Sequence, residues 1–220
     1  HQALHGIITP SALHFERHHN GVPSINPDRP RLLIHGLVDR PLTFSMNDLA
    51  RFPSVTRTLF IECSGNSGHE WKGATGKTVQ ETHGLMSTSE WTGVPLATLL
   101  SEAGMNPTAS WLLAEGSDAA AMTRSLPLEE VLKEALLCYA QNGEALRPEQ
   151  GYPLRLVIPG WEGNTCIKWI RRLKLSPAPF MTREETSRYT DLMPDGTARQ
   201  FTFVMEAKSV ITSPSCGQRI

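Results

Sequence analysis

The fold is decided by one stretch, Phe60-Ile61-Glu62-Cys63-Ser64-Gly65-Asn66-Ser67-Gly68, in which a hydrophobic segment leads directly into a cysteine and a run of small residues. Residues 55–61 are rich in β-branched and apolar side chains, and they predict a buried strand. The small residues that follow predict a sharp turn, which would leave the Cys63 thiol accessible at a sheet edge. A lone cysteine is also a common small core residue, so Cys63 is a candidate metal ligand that the rest of the chain must support.

Composition describes a globular chain. Its 220 residues are enough for one large domain with a sizeable core. Hydrophobic residues make up 40%, charged residues 20%, and the formal net charge is -1. No apolar run is long enough to cross a bilayer, and no basic stripe suits a nucleic acid, so we expect neither a membrane span nor nucleic-acid binding.

The cysteines do not form a recognisable framework. Cys63, Cys138, Cys166 and Cys216 include no CxxC pair and no zinc-type spacing, so neither a disulfide scaffold nor a closed structural zinc site is expected. The chain also lacks a CxxCH motif, so we expect no haem in it. Cys138 and Cys166 are interpreted as structural residues.

Sixteen prolines and seventeen glycines divide the chain into short elements. Strands and helices do not alternate as a doubly wound fold requires, so we predict an α+β fold with several mixed sheets and short helices. Predicted helices occupy residues 45–51, with Ser45 as N-cap, 96–103, entered through Pro95, and 128–134. Predicted strands occupy residues 32–38, 55–61, 111–114, 120–125, 136–140, 154–158 and 166–175.

Residues 14–20 carry several polar and ionisable side chains in a short segment. Two adjacent imidazoles, His18 and His19, follow Arg17, and such a set of donors suits an anion or an oxo group. Two alternatives stay open. The histidines could be a solvated surface, or they could bind zinc or iron, although no carboxylate at suitable spacing completes such a site.

Residues 160–172 place a glycine-containing loop before a strand rich in cations. This arrangement suits a phosphate group. It is not a P-loop, because the lysine lies beyond the start of the strand and no helix follows the glycines. The alternative is a basic strand edge that discourages aggregation.

Six stretches together resemble the sulfite oxidase family of molybdenum enzymes, in order and spacing, along almost the whole chain. Within that family the sequence is similar to the SoxC-type molybdenum subunit of bacterial sulfane dehydrogenase. The stretches are FERHH (15–19), ECSGN (62–66), EGSDAAAMTRSLPL (115–128), YAQNGEALRPEQGYPLRLVIPGWEGN (139–164), IKWIRRL (167–173) and RYTDLMPDG (188–196).

The resemblance implies a sulfite oxidase-type molybdopterin-binding fold with one molybdenum-pyranopterin cofactor. Cys63 would be the only protein ligand of the metal. Arg17 and Tyr189 would act on the substrate beside it, as catalytic residues. The resemblance assigns the pterin, its phosphate and the lining of the cofactor to Phe15, Glu16, Arg17, His18, His19, Asp118, Gln150, Arg155, Cys166, Ile167 and Lys168.

The implied activity is oxygen-atom transfer to sulfane sulfur bound to a carrier protein, with electrons passed singly to a separate c-type cytochrome. Two alternatives remain. One is a sulfite dehydrogenase or a related oxidoreductase acting on a small sulfur oxyanion, and the other is a cofactor-free, non-catalytic scaffold. The resemblance also implies a periplasmic location after export through a signal that this chain would have lost.

The sequence departs from the family pattern at several points. Ser67 and Gly68 stand where animal sulfite oxidases carry a pair of arginines, so we expect a less positive pocket. Gln150 replaces a histidine of the animal enzymes. Residues 1–205 are interpreted as the molybdopterin-binding catalytic domain. Residues 206–220 are interpreted as the start of an immunoglobulin-like dimerisation domain that is otherwise absent, so a homodimer would depend on that missing domain, and apolar residues near 204–211 should be exposed.

Overall fold

The computed structural model describes residues 6–26, 28–29 and 31–218. The strands in these ranges are β1 (Leu32–Gly36), β2 (Leu42–Phe44), β3 (Val55–Glu62), β4 (Met86–Pro95), β5 (Trp111–Gly116), β6 (Thr123–Pro127), β7 (Leu136–Gln141), β8 (Glu144–Ala145), β9 (Arg155–Val157), β10 (Ile170–Ser176), β11 (Asp191–Leu192) and β12 (Ala198–Arg199). The α-helices are α1 (Met46–Leu49), α2 (Val79–His83), α3 (Leu96–Ala103) and α4 (Leu128–Glu134). Short 3₁₀ turns at Ser11–Leu13, Glu70–Lys72, Pro148–Gln150 and Gly163–Thr165 and a π-helix at Glu184–Arg188 complete the elements.

These strands form two five-stranded sheets and a small ribbon. The first sheet has the order β2-β1-β10-β5-β6, in which only the β1–β10 pair is parallel. The second sheet has the order β3-β4-β7-β8, with β9 also paired to β7. Strands β11 and β12 make the ribbon. The mixed sheets and short helices confirm the predicted α+β fold class.

Two apolar clusters hold these layers together. The larger cluster joins the first sheet to α3 and α4, with Leu99, Leu112 and Leu173 among its fully buried members. The smaller cluster surrounds Trp91 on β4, which is completely buried and donates its indole N–H to the Leu59 carbonyl at 3.2 Å. The smaller cluster includes Cys138 and Cys166, in keeping with a structural role for both.

Several helices begin and end as their sequences predict. Helices α3 and α4 have the predicted bounds, and each directly follows a proline in an extended conformation, which is its N-cap residue. Helix α1 is shorter than predicted but keeps Ser45 as its N-cap. A capping box forms there, in which the Ser45 hydroxyl accepts from the Asp48 N–H and the Asp48 carboxylate accepts from the Ser45 N–H.

The predicted strands omit β2, β4, β8, β11 and β12, and several of the others differ from the structure at their ends. The sequence does not predict strand β4, because two of its buried positions, Ser87 and Ser89, carry a small polar side chain and give no hydrophobic signal. Strand β6 begins at Thr123 instead of residue 120, after a turn in which Ala121 has a positive φ of 46°. Strand β10 begins at Ile170 instead of residue 166, because Trp169 adopts a left-handed φ of 54° that no strand continues.

The C-terminal segment carries apolar side chains on its surface. Val204 is 70% exposed and Ile211 is 76% exposed, which matches the expectation for residues 204–211. Among the described residues, no helix combines the length and the apolar character that crossing a lipid bilayer would require.

Candidate functional site

A cavity of about 290 Å³ lies where segments from both sheets and the N-terminal region converge. It collects residues that are far apart in the chain. Its lining consists of His14, Phe15, Arg17, His18, His19, Ile61, Cys63, Ser64, Gly65, Asp118, Met122, Gln150, Arg155, Gly163, Asn164, Cys166, Ile167, Lys168, Trp169, Arg188 and Tyr189.

Cys63 enters this cavity from the end of β3, and its side chain is half-buried. Its backbone N–H donates to the Leu85 carbonyl at 3.0 Å, and its own carbonyl accepts from the Asn66 N–H at 2.9 Å. The buried Asn66 side chain ties this turn together, because it donates to Glu62 at 2.7 Å and accepts from the Leu85 N–H at 3.1 Å. The small-residue turn therefore presents the thiol to the cavity, as the sequence predicts.

The N-terminal segment forms one wall of the cavity. The Phe15 N–H donates to the Ser87 hydroxyl at 3.0 Å, and the Gln150 amide donates to the Phe15 carbonyl at 3.0 Å. His14, which no sequence motif assigns to the site, packs edge-on against Trp91. Burial lowers the pKa of His14 to about 4, so its imidazole is neutral at ordinary pH. No partner for its Nε2 atom lies among the residues that the structure describes.

The two adjacent histidines point to different partners. His18 Nε2 lies 2.5 Å from a carboxylate oxygen of Glu16, which is exposed and does not line the cavity. His19 Nε2 lies 3.2 Å from the Tyr189 hydroxyl. Burial, and then the charge of Arg17, lowers the pKa of His19, and burial raises the pKa of Tyr189. Within the described ranges, His, Cys, Asp and Glu side chains form no group of three or more that could hold a metal ion. Among the described residues, His18 and His19 therefore have no third side chain that would complete the alternative zinc or iron site.

Two cations form the floor of the cavity, and both are held by backbone carbonyls. Arg155 is buried, donates to the Gln150 and Cys166 carbonyls at 2.9 and 3.3 Å, and lies 4.8 Å from the centre of the Trp91 ring. Lys168 donates to the Glu149 carbonyl at 2.8 Å. Burial, followed by the nearby Arg155 charge, lowers the pKa of Lys168 to about 7. These cations are costly to bury without an anion, so the floor suits a phosphate or another anionic group.

Asp118 and Cys166 line the cavity, but the side chains of both already accept hydrogen bonds from backbone N–H groups. Asp118 is buried, and its carboxylate accepts from the Met122 N–H at 2.9 Å, which fixes the turn before β6. The Cys166 sulfur accepts from the Ile158 N–H at 3.4 Å, and burial raises the pKa of its thiol. The Cys166 sulfur is thus a poor competitor of Cys63 for a metal.

Four cationic side chains line the cavity, and three of them are residues that the family resemblance assigns to the cofactor. Ser67 and Gly68 lie outside its lining, so their lack of charge does not make the cavity neutral. The four cationic side chains are Arg17, Arg155 and Lys168, together with Arg188, which no sequence motif assigns to the site. Asn164 was also missed, although it follows the glycine of the predicted phosphate-suited loop; it donates to the Ser64 hydroxyl at 3.2 Å beside the cysteine turn.

Comparisons with known proteins point to one class of cavity ligand. The family model described as an oxidoreductase molybdopterin binding domain matches residues 19–184. The chain is 36% identical over 182 residues to an NADPH nitrate reductase of Phytophthora infestans, covering 77% of this chain and 20% of that protein. It is 34% identical over 192 residues to an NADH nitrate reductase of Arabidopsis thaliana, covering 79% of this chain and 20% of that protein.

The similarity to solved structures extends over nearly the whole chain. The sulfane dehydrogenase SoxCD from Paracoccus pantotrophus superposes with a TM-score of 0.94 at 54% sequence identity, covering 97% of this chain and 55% of that chain. The chain thus spans about a fifth of the length of the nitrate reductases and about half of that SoxCD chain.

Proposed function

The chain belongs to the family of molybdopterin-binding oxidoreductases, and from this premise we propose that it oxidises reduced sulfur with a molybdenum-pterin cofactor held in the cavity. The observation that carries the proposal is the placement of the Cys63 thiol in one cavity with Arg17, Arg155, Lys168 and Arg188. A soft thiolate suits molybdenum, and the cations suit a phosphorylated pterin and an anionic substrate.

The residues present fit such a cofactor. His14 Nε2, Arg155 Nε and Asn164 Oδ1 are buried atoms of lining residues, and none has a hydrogen-bond partner in the part of the chain that the structure describes. Buried polar atoms without partners are uncommon in native proteins, and a polar ligand with several donors and acceptors would satisfy them. The half-buried Cys63 sulfur supplies the one metal ligand.

Each group has a distinct task under this proposal. When bound, the cofactor supplies the two-electron chemistry of oxygen-atom transfer. Arg155 and Lys168 hold the phosphate end, and the Gln150 amide fixes the wall formed by Phe15. Arg17 attracts the substrate, while the Tyr189 hydroxyl, which lies beside His19, donates a hydrogen bond where oxygen is transferred.

The proposed substrate is sulfane sulfur on a carrier protein. The proposal is supported by the 54% identity to the sulfane dehydrogenase SoxCD, compared with 36% or less for the nitrate reductases named above. A second candidate, oxidation of sulfite, is favoured by the four cationic side chains around the cavity, which suit a small sulfur oxyanion. We further propose that electrons pass singly to a c-type cytochrome, that the protein acts in the periplasm, and that residues 1–205 form the catalytic domain.

The first test measures molybdenum per chain by elemental analysis, together with the fluorescence of released, oxidised pterin. A value near one molybdenum per chain in the wild type, lost in Cys63→Ser, supports the proposed ligand. Cys216→Ser is the matched control, because Cys216 is an exposed cysteine outside the cavity. A folded wild-type protein with neither molybdenum nor pterin would contradict the proposal and favour the non-catalytic scaffold.

The second test decides between substrates. Steady-state rates are measured with a persulfide-carrying protein, with sulfite and with nitrate, using a c-type cytochrome or a dye as the redox partner. The proposal expects the highest kcat/KM with the protein-bound persulfide. A higher kcat/KM with sulfite would replace it by the sulfite dehydrogenase alternative.

A further inference from the structure

A completely buried ion pair lies directly behind the cavity. Arg124 on β6 and Glu185 in the π-helix both have side chains with 0% exposure. The Arg124 Nε–H donates to Glu185 at 2.7 Å, and the same carboxylate oxygen accepts from the Ser125 N–H at 2.9 Å. Neither residue lines the cavity.

Stability alone does not account for this pair. Taking two charges out of water is costly, and an apolar pair of similar volume is often as stable or more so. A buried pair of this kind can instead fix one arrangement of its surroundings. The neighbours of Arg124 therefore indicate what the pair determines.

The guanidinium of Arg124 lies between two aromatic rings. Its Cζ atom is 4.9 Å from the centre of the Tyr189 ring and 5.3 Å from that of Phe203. Its NH1 group has no hydrogen-bond partner among the described residues, so its main contacts are with the ring faces and Glu185. A planar cation attracts aromatic faces and restrains their tilt, which a flexible ammonium group does less well.

Tyr189 is held at two points. It directly follows the π-helix, and its N–H donates to the Glu184 carbonyl at 2.9 Å, across a wider turn than an α-helix makes. Arg124 contacts the face of its ring, and its hydroxyl lies 3.2 Å from His19 in the cavity. Glu185, four residues before Tyr189, anchors the same turn to β6.

We propose that Arg124 is a positioning residue, held by Glu185, that sets the direction of the Tyr189 hydroxyl inside the cavity. The inference rests on the proposed function only for the action of Tyr189 on the substrate. The orientation of the tyrosine ring is independent of that function and can be measured without it.

The orientation is tested by fluorine NMR of the purified protein grown with 3-fluorotyrosine. The chain has three tyrosines, and Tyr189→Phe identifies the resonance of Tyr189. Arg124→Lys keeps a positive charge beside Glu185 but loses the planar stacking, and Arg124→Met combined with Glu185→Gln removes both charges without leaving one unpaired. Both variants should shift or broaden the Tyr189 resonance and leave the other two in place. Arg40→Lys, an exposed arginine paired with Glu102, is the matched control.

The catalytic consequence is tested by a double-mutant cycle on the cofactor-loaded enzyme. Arg124→Lys should lower kcat at least about tenfold with little change in KM, because a displaced hydroxyl weakens transition-state contacts. In a Tyr189→Phe background, the same substitution should change kcat less than about twofold, because the hydroxyl is already gone.

The inference is overturned by an unmoved Tyr189 resonance, or by equal losses of kcat in the two backgrounds. If no sulfur compound is oxidised by the loaded wild type, the proposed function fails, and the fluorine resonance alone decides whether Arg124 positions the ring.

Discussion

Lys168→Met should make the cofactor-free chain more stable near neutral pH, although it removes a residue assigned to cofactor binding. Burial lowers the pKa of Lys168 from 10.5 to about 7. At about 1.4 kcal/mol per unit, this shift corresponds to an upper limit of about 5 kcal/mol. The variant also loses the hydrogen bond to the Glu149 carbonyl at 2.8 Å, which lowers its stability by about 1 kcal/mol. We therefore expect a gain of about 2–4 kcal/mol at pH 6.5.

The pH dependence of the stability difference shows whether the buried lysine charge causes it. Below pH 7 the lysine is charged in both states, so the folded wild type carries the full penalty. Between pH 7 and 10.5 the unfolded chain binds more protons than the folded chain, so wild-type stability rises with pH. Because the methionine variant does not titrate there, its advantage should shrink by up to about 3 kcal/mol between pH 6.5 and pH 9.

Urea unfolding of the cofactor-free protein at both pH values measures this difference. Lys77→Met, which replaces an exposed lysine, is the matched control and should show no such pH dependence. An advantage of Lys168→Met that is the same at pH 6.5 and pH 9 would refute the reasoning. With the cofactor bound, the wild type should instead be more stable than Lys168→Met. The bound phosphate would pair with the lysine charge, and the methionine offers it no such partner.

Three further outcomes are expected. The pKa of His14 in the folded chain is about 4, so the unfolding free energy of the cofactor-free protein should fall by up to about 3 kcal/mol as the pH drops from 6.5 to 4. Urea unfolding of His14→Gln should show a smaller loss over the same pH range, because the glutamine does not titrate. Gly93→Ala should cost about 3 kcal/mol of unfolding free energy, because the new Cβ would lie 2.2 Å from a carbonyl oxygen of β7, whereas the control Gly6→Ala meets nothing within 4 Å. Gly163→Ala should reduce molybdenum content per chain, because its Cβ would lie 2.7 Å from the Glu62 carbonyl at the start of the cysteine turn; unchanged content would contradict this.

Local signals in the sequence account for much of the fold. Helix α4 and the capped start of α1 follow from residues that act within one turn, so their prediction needs no tertiary information. Strand β4 could not be predicted in the same way. Its alternation of small polar and buried residues, including Ser87 and Ser89, is a weak hydrophobic signal, and its neighbours β3 and β7 supply the pairing that makes it a strand.

The resemblance named most of the residues that line the cavity, although Glu16, which it also named, lies outside the lining. Cys63, Arg17 and Tyr189 all line the cavity, whereas their roles in binding and catalysis remain predictions. His14 and Arg124 were missed for a physical reason. The first is defined by burial against Trp91, and the second by an ion pair between residues 61 positions apart, and neither property leaves a local pattern in the sequence.

The parallel pairing of β1 with β10 has a consequence for the order of events in folding. Leu33 lies beside Arg172, so closing the first sheet requires a loop of about 140 residues to be ordered, which makes a high-contact-order, slowly folding chain. The last residues that line the cavity, Arg188 and Tyr189, come after β10 in the sequence, so the cavity is completed after the first sheet. A growing chain thus has no finished binding site until Tyr189 has emerged from the ribosome and the preceding residues have folded. Cofactor insertion should accordingly follow folding, and a ligand supplied early in refolding should not accelerate it.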